Sequence, residues 1–294
     1  MKTSLKAICF AILAATLYAL NAPFSKLLLQ EAPPKMTAAF LYLGAGAGML
    51  ALGAARRGAG KATSELPLTK RDLPYTLGMI VLDVLAPILL MIGLMSTAAA
   101  NASLLNNFEI VATSLLALFL FKERISRQLW AAIVLIMLSS VVLSLEKADS
   151  LAFSSGSIFV LLACCCWGLE NNCTRMLSNS DPLQIVLIKG FGSGTGALIV
   201  ALLSGEGFPA PGAVALTLLL GFVAYGLSIY FYVYAQRTLG AARTSAYYAV
   251  QPFIGAALSF LLFRQLPGAR FFLALALMIA GTVLMTLDQF RSET

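Results

Sequence analysis

Residues 155–176 read SGSIFVLLACCCWGLENNCTRM. Up to Cys166 the stretch is almost wholly apolar. Beyond it Trp167, Glu170, Asn171 and Thr174 stand at i, i+3, i+4 and i+7, which is one face of a helix. The stretch is long enough to cross a hydrocarbon core, which takes about 20 apolar residues. A polar stripe on a spanning helix must face protein or water, because lipid offers it no hydrogen bonds. The segment is therefore read as a membrane helix with one face turned to a polar interior.

Outward from this segment the pattern repeats. Apolar runs bounded by charges, Pro or Gly give ten expected spans: 5–29, 36–55, 73–95, 98–121, 128–145, 155–176, 183–204, 211–236, 241–263 and 269–287. Several open on a proline near the first turn, where the missing N–H costs least. The composition agrees. The chain is 60% hydrophobic and only 11% charged, with mean hydropathy +0.88. A soluble chain has about 25% charged residues. The net charge of +7 sits in short segments between apolar runs and forms no basic face, so nucleic acid is not an expected partner. Lys2 and Lys6 ahead of an apolar run resemble a signal peptide, but Leu20 falls where a cleavage site wants a small residue. The run is kept as a helix.

With the N-terminus placed in the cytoplasm, the inner segments hold fourteen Lys and Arg and the outer ones four: Lys35, Lys147, Arg264 and Arg270. The positive-inside rule then puts both termini in the cytoplasm.

The halves match each other. A shift that carries Tyr18 onto Trp167 lays Tyr18-Ala-Leu-Asn21 over Trp167-Gly-Leu-Glu170, Lys26 over Arg175 and Pro33 over Pro182. A slightly smaller shift lays Glu109-Ile110 over Gln251-Pro252 and Phe121-Lys122-Glu123 over Phe263-Arg264-Gln265. Each half has five spans, so the second copy must run through the membrane upside down. The expected fold class is an all-α integral membrane protein: ten transmembrane helices as two inverted five-helix repeats, over residues 1–147 and 154–288. Such repeats build transporters, with a site near mid-membrane between the halves.

These same residues resemble a known family. Tyr18-x-x-Asn21 and Trp167-Gly168-x-Glu170 are similar to the W-G-x-[NS] element of the drug/metabolite transporter superfamily, EamA type. Glu109-Ile110 and Gln251-Pro252 resemble its E-P element, Lys122-Glu123 its later G-E element, and Ala280-Gly281-x-Val283 its closing A-G-x-[VL]. The sequence resembles most the YddG-like exporters of aromatic amino acids. The resemblance implies ten helices, cytoplasmic termini, a bacterial inner membrane and efflux. Tyr18, Ile110 and Gln265 depart from the family's Trp, Pro and Glu.

Candidate site residues follow from polarity inside the spans. Asp83, Glu109 and Glu170 are acids within apolar runs. Such residues face a cavity or pair with one another, so proton binding, contact with a cargo ammonium and structural pairing all stand open. Tyr18, Asn21 and Ser25 form a stripe on the first span that matches Trp167, Glu170 and Asn171 on the sixth. Asn101, Asn106 and Glu109 on the fourth span, and Tyr247, Tyr248 and Gln251 on the ninth, are the next candidates for a cavity wall. Pro23, Pro87 and Pro252 are candidate hinges. Tyr225, Tyr230, Tyr232, Tyr234, Tyr247 and Tyr248 read either as an interfacial belt or as a cytoplasmic gate or stacking surface. Lys189 is expected to snorkel toward headgroups. The glycines at 44, 46, 48, 190, 192, 194 and 196 are expected at close helix contacts.

The chain has no histidine, and its five cysteines lie in apolar runs. No metal or cofactor is expected. It carries no nucleotide-binding G-x-x-x-x-G-K-[ST], no H-E-x-x-H and no G-x-S-x-G, so it is not expected to be an enzyme or to use ATP. The expected partners are a small-molecule substrate (amino acids or similar), the lipid bilayer, and protons. The expected action is export of amino acids by alternating access. A cationic or amphipathic drug exporter, or a membrane protein that transports nothing, is the alternative.

Overall fold

Helices and turns make up the structure. It is a computed structural model that describes residues 2–58, 67–122, 126–145, 154–177, 180–239, 244, 247–264 and 267–292. Eight helical stretches are long and apolar enough to cross a membrane. They correspond to the expected spans one, two, three, five, six, seven, eight and ten.

The first span is α1 (Lys2–Ala19) and α2 (Asn21–Leu28), with a break at Leu20. Pro23 lies three residues past the break and has no N–H to continue the ladder, which places the break where it is. The second span is α3 (Pro34–Gly58), opening on a proline. The free Met36 N–H in its first turn donates to Glu206 Oε2 at 3.0 Å. The third is α4 (Leu73–Ser96), which runs unbroken through Pro87. The fifth is α7 (Arg127–Ser144), capped by Ser126, whose hydroxyl accepts from the Leu129 N–H at 2.9 Å. The sixth is α8 (Ser155–Met176).

The fourth span departs from expectation. It is α5 (Ala99–Leu105) and α6 (Phe108–Phe121), two helices separated by a turn at Asn106-Asn107. Asparagine side chains compete for backbone groups and favour turns over helix interiors. Asn107 also spends its amide on the Thr282 hydroxyl, at 2.9 Å.

The seventh and eighth spans each carry a wide turn. The seventh is α9 (Pro182–Ile188), a π-helical turn (Lys189–Ser193) and α10 (Gly194–Leu203). The eighth is α11 (Pro211–Gly221), a π-helical turn (Phe222–Leu227) and α12 (Ser228–Leu239). Turns of this kind are frequent at functional sites. The first part of the ninth expected span lies largely outside the described residues. A turn at Ala249-Val250 leads into α13 (Gln251–Phe263), with Pro252 at its second position. The tenth is α14 (Ala269–Ser292).

The helices pack in recurring pairs. α4 and α6 lie along α8, α1 lies along α12 and α13, and α5 packs on α13. α7 packs on α14, and α3 is clasped by α9, α10 and α11. Leu203, Leu261 and Phe119 point outward from the bundle. Side chains of this kind need a lipid environment when they cover a whole surface.

Candidate functional site

The polar stripe of α8 faces α4 and α6. Glu170 on α8 is 2% exposed and Asp83 on α4 is 1% exposed. Between them stands Lys189, from the π-helical turn of the seventh span. Its Nζ lies 3.2 Å from Asp83 Oδ2 and 2.9 Å from Glu170 Oε1. The expectation that Lys189 snorkels to headgroups is corrected: its side chain is 13% exposed and tied to two acids. The ion pairs on offer inside the bundle outweigh a reach toward the surface. The Tyr42 hydroxyl donates to Asp83 Oδ1 at 2.9 Å, and the Thr174 hydroxyl donates to Glu170.

A second carboxylate sits on the next helix. Glu109 opens α6, and its Oε1 accepts from the Asn171 amide at 2.7 Å. The same amide reaches Thr113 Oγ1 at 3.2 Å. Asn172, the neighbouring amide, is turned to backbone and donates to Gly168 O of its own helix at 2.8 Å and to Thr113 O of α6 at 3.3 Å. It fixes α8 against α6 and leaves the site to Asn171.

Aromatic rings join these acids to the first span. Asn21 donates to the Tyr225 hydroxyl at 2.8 Å and accepts from the Ser25 hydroxyl at 3.0 Å. The Tyr225 ring lies 5.1 Å from Tyr42 and 5.6 Å from Tyr18, centre to centre. Tyr18 lies 6.1 Å from Tyr248, and Tyr248 lies 5.1 Å from Tyr232. Trp167 is buried on α8, in the same core as Tyr42 and Tyr225. Tyr18, Asn21, Asp83, Glu109, Trp167, Glu170, Asn171 and Tyr248 thus form one connected cluster.

Of the remaining candidates, Asn101 and Tyr247 stand apart from it, while Asn106 accepts the Glu109 N–H at 3.1 Å through its backbone carbonyl. Asn101 borders a cavity of about 280 Å³ at the far end of the bundle, with Phe260, Phe271 and Arg270. Asn106 is buried in its turn, with the Cys164 thiol 4.0 Å from its Oδ1. Tyr247 packs on Ala7, Ala11, Ala235 and Leu239. Gln251 is buried at the start of α13. Of the tyrosines in the eighth span, Tyr230 and Tyr234 cluster with Phe231 and Phe10 near an exposed edge, with Arg56 over the Tyr230 ring. Tyr225 belongs to the interior instead, at 3% exposure.

Within the cluster, burial is uneven. Asn21, Asp83 and Glu170 are sealed, while Glu109, Asn171, Tyr18 and Tyr248 keep partial contact with open space. The open side of the cluster therefore lies along α6 and α8, toward the rings of Tyr18 and Tyr248. In a background with the native cysteines replaced, an Asn171→Cys variant is expected to react with a membrane-impermeant thiol reagent. Ser139→Cys, at a buried position bonded to Ala274 O, is expected to stay unreacted. Equal protection of both would show that the cluster has no water path.

The EamA-like transporter pattern matches residues 5–145 and again residues 154–287. The chain belongs to the EamA-like transporter family. It is a multi-pass membrane transporter. An uncharacterized transporter of Methanothermobacter thermautotrophicus (strain ATCC 29096 / DSM 1053 / JCM 10044 / NBRC 100330 / Delta H) is 28% identical over 276 residues, covering 87% of this chain and 79% of that one. A protein of known crystal structure, 18% identical, superposes with a TM-score of 0.70 over 98% of both chains, a likeness of fold.

Against this EamA-like frame, sequence reasoning missed three members of the cluster: Lys189, Tyr42 and Tyr225. For Lys189 a signal was present. Three acids inside apolar runs call for a cation, and Lys189 and Lys26 are basic residues that fall within spans. Tyr42 and Tyr225 gave no such signal, since a lone tyrosine in a span reads equally as packing.

Proposed function

We propose that this transporter exports amino acids, aromatic ones included, and related small metabolites, by alternating access between two five-helix halves of opposite orientation. The observation that carries the reading is the cluster itself. It draws an acid from each of α4, α6 and α8, and rings from the first, second, eighth and ninth spans, to one partly open place inside the bundle. Aromatic surfaces and a carboxylate suit the side chain and the ammonium of such a cargo. Phosphate-bearing cargo would want a free basic clamp, and Lys189 is already engaged.

The ten-span, two-repeat arrangement is part of the proposal. The helix contacts support it: exchanging the halves turns the α1–α12 pair into the α8–α4 pair, and the α6–α8 pair into the α13–α1 pair. The contacts of α3 with α9 and α10, and of α7 with α14, map onto themselves. The turns at Asn106-Asn107 and Ala249-Val250 fall at matching places in the two halves. Residues 1–147 and 154–288 are proposed as the repeats, with both termini in the cytoplasm of a bacterial inner membrane, and Pro23, Pro87 and Pro252 as the bending points.

Reconstituted liposomes loaded with unlabelled amino acid and given labelled amino acid outside test this directly. Counterflow of phenylalanine, and its change under a pH gradient, are the expected results. Absence of counterflow for every amino acid in a panel would remove the amino-acid reading.

A further inference from the structure

The three acids of the cluster are not equivalent. Asp83 and Glu170 share the ammonium of Lys189 and are almost sealed, at 1% and 3% side-chain exposure. Glu109 has no ion-pair partner among the described residues. Its hydrogen-bond donor is the neutral amide of Asn171, and it keeps contact with open space. The Tyr18 ring, in the same cluster, lies 5.6 Å from Tyr225 and 6.1 Å from Tyr248. The three rings come from α1, from the π-helical turn after α11, and from the segment ahead of α13.

Two physical demands converge here. A carboxylate with no counter-ion in a low-dielectric interior is costly until something positive reaches it. Ring faces within about 6 Å attract the same kind of charge. Lys189 does not meet these demands, because it is engaged by two acids on other helices. A proton would neutralise Glu109 but would leave the ring faces unused. An organic ammonium satisfies both.

We infer that Glu109, with Tyr18 and Tyr248, receives the ammonium of the cargo, and that Lys189 withdraws Asp83 and Glu170 from cargo binding. This rests on the transport reading above and sharpens it. Lys189, which reaches the cluster, is engaged by two acids and is not free to pair a cargo carboxylate. The class that fits best is therefore a monoamine with an aromatic or apolar body. Amino acids enter by their ammonium end and carry their carboxylate at a cost. Glu109 selects the charge, the rings select the body, and Lys189 sets which acid is available.

Calorimetric titration of the purified full-length protein in detergent tests this with four probes that share one ring: phenylalanine, its methyl ester, phenethylamine and 3-phenylpropionate. The amine and the ester are expected to bind about tenfold or more tighter than phenylalanine, since a single uncompensated charge is worth at least that factor. Phenylpropionate is expected not to bind. Glu109→Gln is expected to weaken phenethylamine about tenfold or more, with Glu109→Asp retaining part of the affinity. The wild-type series decides the matter even if Glu109→Gln fails to fold. Binding of phenylpropionate without phenethylamine would overturn the inference, as would a Glu109→Gln protein that binds the amine unchanged. If phenylalanine binds and the amine does not, the inference falls and the amino-acid reading stands. If the amine binds and phenylalanine does not, the amino-acid reading falls and the inference stands. If no probe binds, both fall.

Discussion

Replacing Lys189 by Met lowers the stability of the folded transporter by about 3–5 kcal/mol, the expected cost of leaving buried charge without its partner. The geometry sets the size of the effect. Lys189 answers to two carboxylates at 3.2 and 2.9 Å, on two different helices. Asp83 Oδ2 has no hydrogen bond of good geometry, so the ammonium is its main compensation. Removing the ammonium leaves Asp83 and Glu170 in a sealed place with the Tyr42 and Thr174 hydroxyls as partners. The loss is expected to be strongly non-additive, because the three groups act as one unit. Lys189→Met with Asp83→Asn should recover part of it, and a further Glu170→Gln most of the remainder. Thermal unfolding in detergent micelles measures the series. Lys70→Met, on the exposed turn ahead of α4, serves as the control and should stay within about 0.5 kcal/mol of the parent. An unchanged melting temperature for Lys189→Met would mean that the triad holds nothing together.

Most of the fold was readable in the sequence, and the reason is physical. In a bilayer, span length and apolarity are forced by the solvent, so eight of the expected spans return as helical stretches long and apolar enough to cross. The stripe Trp167, Glu170, Asn171 and Thr174 needed only helical spacing to be found. What the pattern did not give was partnership. Lys189 sits only seven residues after Pro182, which measured along one helix suggests a headgroup neighbour. Across helices it is seated between α4 and α8. Asn101 and Glu109 share one apolar run, and spacing along the chain alone puts them together. The turn at Asn106-Asn107 divides that run, and Asn101 lies on the far side of it. Tyr247 and Tyr248 are adjacent in sequence, yet only Tyr248 stands by Tyr18, while Tyr247 packs on α1 and α12 residues. Sequence spacing orders side chains on one helix; it does not say which helices meet.

The seam that seats Lys189 is made by glycine, and disturbing it is the second large effect. A Cβ built on Gly190 would lie 2.5 Å from Gly46 Cα and 3.0 Å from Tyr42 O. Both are backbone atoms of α3, so no side chain is free to swing away. The helices themselves must separate. Gly190→Ala is therefore expected to cost about 1–3 kcal/mol, the usual range for overpacking a filled interior, and Gly190→Leu more. The consequence reaches function because of where Gly190 stands. It follows Lys189 in the same π-helical turn, and Tyr42 of α3 holds Asp83. Moving this turn off α3 pulls Lys189 and Tyr42 apart and strains both contacts to Asp83. Counterflow should fall along with the melting temperature. Gly207→Ala is the contrast: nothing lies within 4 Å of its Cβ, so it should leave both properties unchanged. If Gly190→Ala melts and transports like the parent, α3 and the seventh span do not approach as closely as this seam requires, and the seating of Lys189 between the two acids loses its support.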